Sequence, residues 1–156
     1  MHKLLLTACT LLLCATRGSA QACAAPNSSV ALSSTASAIL NSSSPPQLYL
    51  TSGGRNRSYY IQLPTGYTPN QAYPLVLGFH GSQSIGLYFP LDTKMDDARY
   101  SNNKIMVYPD GVGGSWAGPS YHNGTSVDED IQFVADVIAN VKAQFCVDAE
   151  RVFGVG

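Results

Sequence analysis

A serine hydroxyl activated by a histidine is a common catalytic nucleophile, so the serine and histidine residues are the first candidates for chemistry in this chain. The chain of 156 residues contains three histidines, His2, His80 and His122. No aspartate or glutamate occurs before Asp92. A catalytic acid supplied by this chain therefore has to lie between Asp92 and Gly156.

Two serines lie in turns that approach the strained G-x-S-x-G elbow of a serine nucleophile. Ser84 lies in the segment Ser82-Gln83-Ser84-Ile85-Gly86, and Ser115 lies in Gly113-Gly114-Ser115-Trp116-Ala117. Each segment lacks one of the two glycines of the tight elbow: Ser82 stands in place of the first, and Ala117 in place of the last. Only His122 follows either serine, and neither is followed by an acid and a histidine in a convincing context. We therefore interpret both as turn serines, and Asp110, between Pro109 and Gly111, as a turn residue.

The segments that position these residues alternate between strand-like and helix-like patterns. A hairpin with a Gly-Gly loop is predicted over residues 48–63, because two alternating segments flank Gly53-Gly54. Short continuous apolar segments, typical of strands buried on both faces of a parallel sheet, occur at 75–79, 105–108 and 151–155, with helices predicted at 92–100 and 127–145. This order predicts an α/β fold with a mostly parallel sheet and an N-terminal antiparallel hairpin.

The helix over residues 127–145 has the clearest pattern. Ser126 is a suitable N-cap, and three acidic residues follow in the first turn, where the helix dipole favours negative charge. The apolar residues at helical spacing predict the buried face: Val127, Ile131, Val134, Ile138, Val141 and Phe145.

The N-terminus has the pattern of a secretory signal peptide over residues 1–20. A short positive start, an apolar segment and small residues up to Ala20 follow one another, and cleavage after Ala22 is the alternative. The apolar segment is shorter than the roughly 20 residues that span a bilayer. Residues 21–47, rich in Ser, Ala and Pro, are interpreted as a weakly ordered leader before a domain at 48–156.

Secretion determines how the cysteines and asparagines are interpreted. After removal of the signal, Cys23 and Cys146 remain in an oxidising compartment, so they either pair with each other or pair elsewhere. Cysteine spacing predicts no metal site, and no cofactor is expected. Four Asn-X-Ser/Thr sequences are candidate glycosylation sites in a secreted eukaryotic protein: Asn27, Asn41, Asn56 and Asn123.

Charge and hydropathy exclude some partners. Charged residues make up 12% of the chain, and its formal net charge is −1. Without a basic patch we expect no nucleic-acid partner. No segment after the signal peptide is long and apolar enough to predict a membrane span.

Five segments, in order and spacing, resemble secreted fungal feruloyl esterases. The wider group takes in polyhydroxybutyrate depolymerase-like and acetyl xylan esterases, all α/β-hydrolases. The segments are 57–64, 73–81, 108–111, 127–133 and 145–153, and the resemblance covers about residues 48–156. It implies a serine esterase that releases ferulic acid from plant cell-wall xylan or pectin, and a monomer when complete.

The resemblance also implies where the site lies. Gly156 matches the first glycine of the nucleophile elbow, so the serine, acid and histidine are expected beyond residue 156, and the chain alone is expected to be inactive. His80-Gly81-Ser82-Gln83 matches the oxyanion loop; Ser82 or Gln83 would supply the amide, and Gly81 would permit close backbone approach.

Three points stay open at this stage. Trp116, after a strand end where ligands bind in α/β sheets, is a candidate for stacking on an aromatic acyl group or a sugar. Packing within its loop is the alternative role. The substrate is open between feruloyl esters and the acetyl xylan or polyester substrates of the same scaffold, and an inactive secreted remnant is the non-enzyme alternative.

Overall fold

The computed structural model of the protein describes residues 23–24, 29–121 and 124–156. Four helices lie in these ranges: α1 (Ser34–Leu40), α2 (Tyr88–Thr93), α3 (Ala98–Ser101) and α4 (Val127–Gln144). Five strands form one sheet: β1 (Gln47–Ser52), β2 (Arg55–Gln62), β3 (Tyr73–Gly78), β4 (Ile105–Pro109) and β5 (Val147–Val155). A short 3-10 helix covers Val112–Gly114.

The sheet has the spatial order β1-β2-β4-β3-β5. The predicted hairpin is confirmed: β1 and β2 pair antiparallel through a two-residue turn, in which Gly53 and Gly54 have φ angles of 56° and 79°. Glycine tolerates this left-handed backbone, which gives the twist that a tight hairpin needs. Strand β2 also pairs antiparallel with β4, whereas β3 pairs parallel with both β4 and β5. The α/β class is confirmed, with a mixed sheet.

Helix α4 begins and packs for reasons that are partly visible in the sequence. Ser126 caps it as predicted, and Glu129 completes a capping box by accepting from the Ser126 amide at 2.8 Å. The predicted buried face is wrong in its first two turns, since Val127 and Ile131 are 53% and 62% exposed. Asp130 and Phe133 are buried there instead. Asp130 turns inward because it forms an ion pair with Arg57 of β2 at 3.0 Å.

The main core lies between one face of the sheet and helices α1 and α4. Its members are apolar side chains that are almost fully buried, among them Tyr59, Ile61, Leu75, Val107, Phe133, Val137 and Phe145. A smaller cluster of Val76, Met106 and Tyr108 lies on the opposite face of the sheet, with Phe89 and Met95 packed against it.

The predicted helix at 92–100 is two separate helices. Helix α2 ends at Lys94, which has a left-handed φ of 62°, and α3 starts after Asp97, whose carboxylate accepts from the Arg99 amide at 2.9 Å. Asp97 is therefore an N-cap in the middle of the segment predicted as one helix.

The segment before β1 is more ordered than a weakly ordered leader. Ser33 caps α1, and the helix inserts Ala36 and Ile39 into the main core. Cys23 forms a disulfide with Cys146 across 123 residues, which confirms the direct pairing. Burial of these two apolar side chains and the disulfide fix a segment whose composition alone predicts no core contact.

Among the described residues, no helix combines the length and the apolar character needed to cross a membrane.

Candidate functional site

The loop from His80 to Gly86 lies at the carboxyl end of β3, beside the ends of β4 and β5. The Phe79 amide donates to the Val155 carbonyl at 2.8 Å, which places the start of the loop next to the last residues of β5. The Ser84 amide donates to the Gly114 carbonyl at 3.1 Å, which ties the middle of the loop to the segment after β4. In parallel α/β sheets, ligands bind outside this end of the strands.

The His80 ring is buried and committed to the backbone on both sides. Its Nε2 accepts from the Gly111 amide at 2.9 Å, and its Nδ1 lies 2.7 Å from the Gly81 carbonyl. These contacts assign a neutral ring with its proton on Nδ1, because Nε2 acts as an acceptor and a carbonyl oxygen can only accept. His80 therefore braces the loop, and neither ring nitrogen is free to act as a base.

The amides of Ser82 and Gln83 are the candidate oxyanion donors. The Ser82 amide donates to no partner among the described residues, whereas the Gln83 amide donates to the Ser115 hydroxyl across a long 3.4 Å. Gln83 has a left-handed φ of 59°, a strained conformation for a residue with a side chain. The loop, which starts next to the end of β5, thus carries one amide without a partner among the described residues and one weakly engaged amide.

The role of Gly81 in close backbone approach to a substrate stays a prediction. A Cβ placed on Gly81 meets nothing within 4 Å, so the space beside it is open. A close approach within the protein occurs at Gly86, where a Cβ would lie 2.2 Å from the Tyr108 carbonyl oxygen.

The two serines considered as internal nucleophiles have turn roles among the described residues. Ser115 is buried, and its hydroxyl lies 2.9 Å from that of Ser82 and accepts from Gln83. Ser84 contributes its amide to the contact with Gly114. No contact joins either serine to a histidine ring or a carboxylate within the described ranges.

Trp116 packs beside the loop. Its indole N–H donates to the His80 carbonyl at 3.0 Å, and its ring meets Phe79 edge to face with centroids 5.3 Å apart. Together with Val127, Ile131 and Val134 these rings line an apolar depression of about 350 Å³. The loop-packing role considered for Trp116 is thus present in the structure, and stacking on substrate stays a prediction.

The remaining predicted positions are placed only in part. Asn41 and Asn56 are exposed, whereas Asn27, Asn123 and His122 lie outside the described residues. Within the described ranges, no cluster of three or more His, Cys, Asp or Glu side chains has a metal-binding arrangement.

Asp110 is the residue whose importance the sequence interpretation missed. Its Oδ1 accepts from the Gly86 amide at 2.7 Å, and its Oδ2 accepts from Ser58 and Gln47 at 2.7 and 3.0 Å. These partners lie 24 to 63 residues away along the chain. The local Pro-Asp-Gly pattern indicates a turn and does not indicate these distant partners.

Two buried features shape the electrostatics near the loop: the ion pair of Asp130 with Arg57, and the buried Tyr108 hydroxyl. The Asp130 carboxylate accepts from the Ala117 amide at 2.8 Å while it pairs with Arg57, whose guanidinium lies 3.8 Å from the centre of the Phe133 ring. Burial raises the pKa of the Tyr108 hydroxyl, and the nearby negative charge of Asp96 raises it further. The residues around the loop are therefore held by backbone hydrogen bonds, by the Asp110 carboxylate and by one compensated ion pair.

Comparisons with known proteins point to one group of enzymes. The chain is 32% identical over 110 residues to a probable feruloyl esterase C from Aspergillus clavatus, an alignment that covers 64% of this chain and 36% of the relative. It is 30% identical over 121 residues to feruloyl esterase D from Neurospora crassa, covering 66% and 37% of the two chains. The chain thus spans little more than a third of these relatives' length. No family model matches it.

Among solved structures, a ferulic acid esterase from Anaeromyces mucronatus, solved with ferulic acid, superimposes with a TM-score of 0.53 at 18% identity. The match covers 72% of this chain and 48% of that one. The chain has an α/β-hydrolase fold. The resemblance to feruloyl esterases predicted from the five segments is confirmed. In this α/β-hydrolase fold the His80–Gly86 loop occupies the strand end at which the resemblance places the oxyanion loop.

Proposed function

We propose that this chain supplies the oxyanion loop of a secreted serine carboxylic-ester hydrolase that releases ferulic acid from plant cell-wall polysaccharide. The observation that carries the proposal is the Ser82–Gln83 amide pair, without a strong hydrogen bond among the described residues, in a loop that starts beside the end of β5. The names of the curated relatives, feruloyl esterases, support the acyl group.

The chemistry assigned to the loop is acyl transfer. A serine oxygen attacks the ester carbonyl while a histidine base takes the serine proton, and the carbonyl oxygen becomes a negatively charged oxyanion. Two backbone amides stabilise that oxyanion: one from the loop and one from the residue after the serine. Collapse of the intermediate breaks the bond to the sugar oxygen, which takes the proton from the histidine and leaves as a hydroxyl group, and water then hydrolyses the acyl-enzyme to ferulic acid.

The serine, acid and histidine of this reaction are proposed to follow Gly156. A Cβ placed on Gly156 would lie 3.4 Å from the Phe79 carbonyl oxygen, so residues that follow it begin against the start of the oxyanion loop. A serine two positions further along would therefore be close to the Ser82 amide. On this proposal, residues 1–156 alone have no esterase activity.

The apolar depression beside the loop is proposed to contribute to acyl specificity. Trp116 has its N–H committed to His80, so only its ring can contact an aromatic acyl group. An acetyl group offers this ring far less contact area than a feruloyl group. A preference for acetyl over feruloyl esters would favour the acetyl xylan esterase alternative.

Secretion is part of the proposal. The signal-peptide pattern at 1–20 and the disulfide between Cys23 and Cys146 both suit an oxidising extracellular setting. The glycosylation candidates Asn41 and Asn56 are exposed, as glycan attachment requires. N-terminal sequencing of secreted protein should give a start at Gln21; secreted material that begins at Met1 would contradict this part.

The decisive experiment begins with the reading frame beyond codon 156. If the frame continues into Ser-x-Gly, the longer protein is assayed on methyl ferulate and p-nitrophenyl acetate. Gly86→Ala is the informative variant, because its Cβ would collide with the Tyr108 carbonyl and push the loop away. Loss of one oxyanion donor should lower kcat about 100- to 1,000-fold, with a smaller change in KM.

Gly81→Ala is the matched comparison, since its Cβ enters open space, and we expect a smaller loss. Circular dichroism checks that both variants fold. A well-folded Gly86→Ala enzyme with unchanged turnover would remove the loop from the oxyanion role.

A further inference from the structure

Two adjacent residues at the end of β4 hold the two ends of the His80–Gly86 loop. Asp110 accepts from the Gly86 amide at 2.7 Å, and the amide of Gly111 donates to the His80 ring at 2.9 Å. The first residue of the loop and its last residue are therefore fixed to consecutive positions of one strand end. A displacement of Asp110 moves both attachments together.

The Asp110 carboxylate is itself held from the opposite side. Ser58 of β2 and Gln47 of β1 both donate to its Oδ2. Its backbone is anchored as well, because its amide donates to the Ser58 carbonyl at 3.0 Å and its carbonyl accepts from Arg57 at 3.2 Å. One carboxylate thus connects the hairpin to the loop, and hydrogen bonds to an ionised acceptor are stronger than those between neutral groups.

We infer that Asp110 is a positioning residue that sets the conformation of the oxyanion loop. The inference deepens the proposed function and rests on it for its catalytic meaning. Asp110 is placed to act through the Gly86 amide, while Oδ1 and Oδ2 divide its contacts between the loop and the hairpin. The Ser82 amide in the middle of the loop then keeps its direction without a hydrogen bond of its own.

Trp116 reports on the position of this loop. It is the one tryptophan in the sequence, and its indole N–H donates to the carbonyl of His80, the residue held by Gly111. Release of the loop removes that acceptor and exposes the indole to water. Tryptophan fluorescence of the purified chain therefore measures loop position without any substrate.

The test compares Asp110→Ala and Asp110→Asn with the matched control Asp92→Ala. Asp92 is exposed on α2 and accepts no hydrogen bond among the described residues. Hydrogen exchange by mass spectrometry is followed on peptides covering 80–86 and on a core peptide covering β4. In Asp110→Ala we expect loop exchange to accelerate at least about tenfold, as for a lost charge-assisted hydrogen bond, and Trp116 emission to shift to the red.

Asp110→Asn keeps one acceptor oxygen, so its loop exchange should lie between that of the parent chain and that of Asp110→Ala. Asp92→Ala should leave both readouts unchanged. Unchanged loop exchange and emission in a folded Asp110→Ala chain would overturn the inference. Equal acceleration in the loop and in β4 would also overturn it, because that pattern belongs to a residue that only stabilises the fold. If Asp110→Ala does not fold, Asp110→Asn decides by the same two criteria.

These readouts need no esterase activity, so the two proposals fail separately. A loop that responds to Asp110 in a longer protein without esterase activity would count against the proposed function alone. An active enzyme whose loop ignores Asp110→Ala would count against the positioning role alone.

Discussion

The two edges of the sheet are built differently. At the β1 edge, the exposed aromatic residue Tyr49 ends in a hydroxyl that donates to Gln47 at 2.6 Å, so its polar tip has a partner. At the β5 edge, Phe153 and Val155 are 53% and 37% exposed and carry no polar group. A separate apolar depression lies around Phe79 and Trp116.

The difference lies in how much of each edge is held or covered by other described residues. The hairpin is attached to the core by Arg57, Ser58 and the Asp110 carboxylate. Among the described residues β1 and β5 each pair on one side only, but the β5 edge also carries exposed apolar side chains without a polar group, and such edges pair with other chains when nothing covers them. The candidate oxyanion loop lies beside this second edge, so the proposed chemistry and the uncovered surface are neighbours.

The largest expected effect is a lack of esterase activity in residues 1–156, whose candidate oxyanion loop lies at the β5 edge. We expect purified residues 1–156 to hydrolyse neither methyl ferulate nor p-nitrophenyl acetate above the buffer rate. The physical reason is that no histidine ring contacts Ser84 or Ser115 within the described ranges, where both His80 nitrogens are engaged with Gly81 and Gly111. Turnover that is abolished by Ser115→Ala or Ser84→Ala would contradict this expectation.

The attachment of the hairpin to the core is tested with two neighbouring ion pairs, both of which join β2 to α4. Arg57→Gln leaves the buried Asp130 without its counter-charge, and we expect a loss of about 3–5 kcal/mol in the free energy of unfolding. Arg55→Gln removes the matched pair with Glu129, whose two charged groups lie 3.7 Å apart and are about half exposed, and its loss should be much smaller because water screens an exposed pair. Urea unfolding measures both, and equal losses would show that burial does not distinguish the pairs.

The disulfide joins the N-terminal segment to the residue before β5. Replacement of both Cys23 and Cys146 by serine should lower the free energy of unfolding by about 2–5 kcal/mol, because the bridge closes a loop across 123 residues. The same loss should follow reduction of the parent chain. A double variant with an unchanged urea midpoint would mean that α1 holds this segment without the bridge.

Sequence patterns predicted the strands of the sheet better than they predicted the packing of side chains. The hairpin glycines and the Ser126 cap are local signals, and the structure confirms both. The buried face predicted for α4 is rotated relative to the observed one. A periodicity of apolar residues assigns the polar Asp130 to the exposed face, whereas its hydrogen bond with Arg57, 73 residues away, holds it inside. Asp110 was missed for the same reason.

Short or weakly patterned elements were also hard to predict. Helix α1 has seven residues, too few for a convincing apolar period in a Ser- and Ala-rich segment. The break between α2 and α3 depends on the left-handed backbone of Lys94, which no residue preference indicates. These misses concern how elements meet, which depends on contacts that a single sequence does not display.

The smallest expected effect on stability concerns the apolar surface of the β5 edge itself. Phe153→Lys places a charge on an exposed edge strand, and charged edges discourage pairing between chains. We expect less self-association of residues 1–156 by light scattering and weaker binding of the dye ANS. The free energy of unfolding should change by about 0.5 kcal/mol or less, because the side chain is more than half exposed. Tyr49→Lys is the matched control at the hairpin edge, where Tyr49 is 61% exposed. If self-association depends on the β5 edge, Tyr49→Lys leaves it unchanged; an equal decrease in both variants would mean that net charge, and not the β5 surface, controls association.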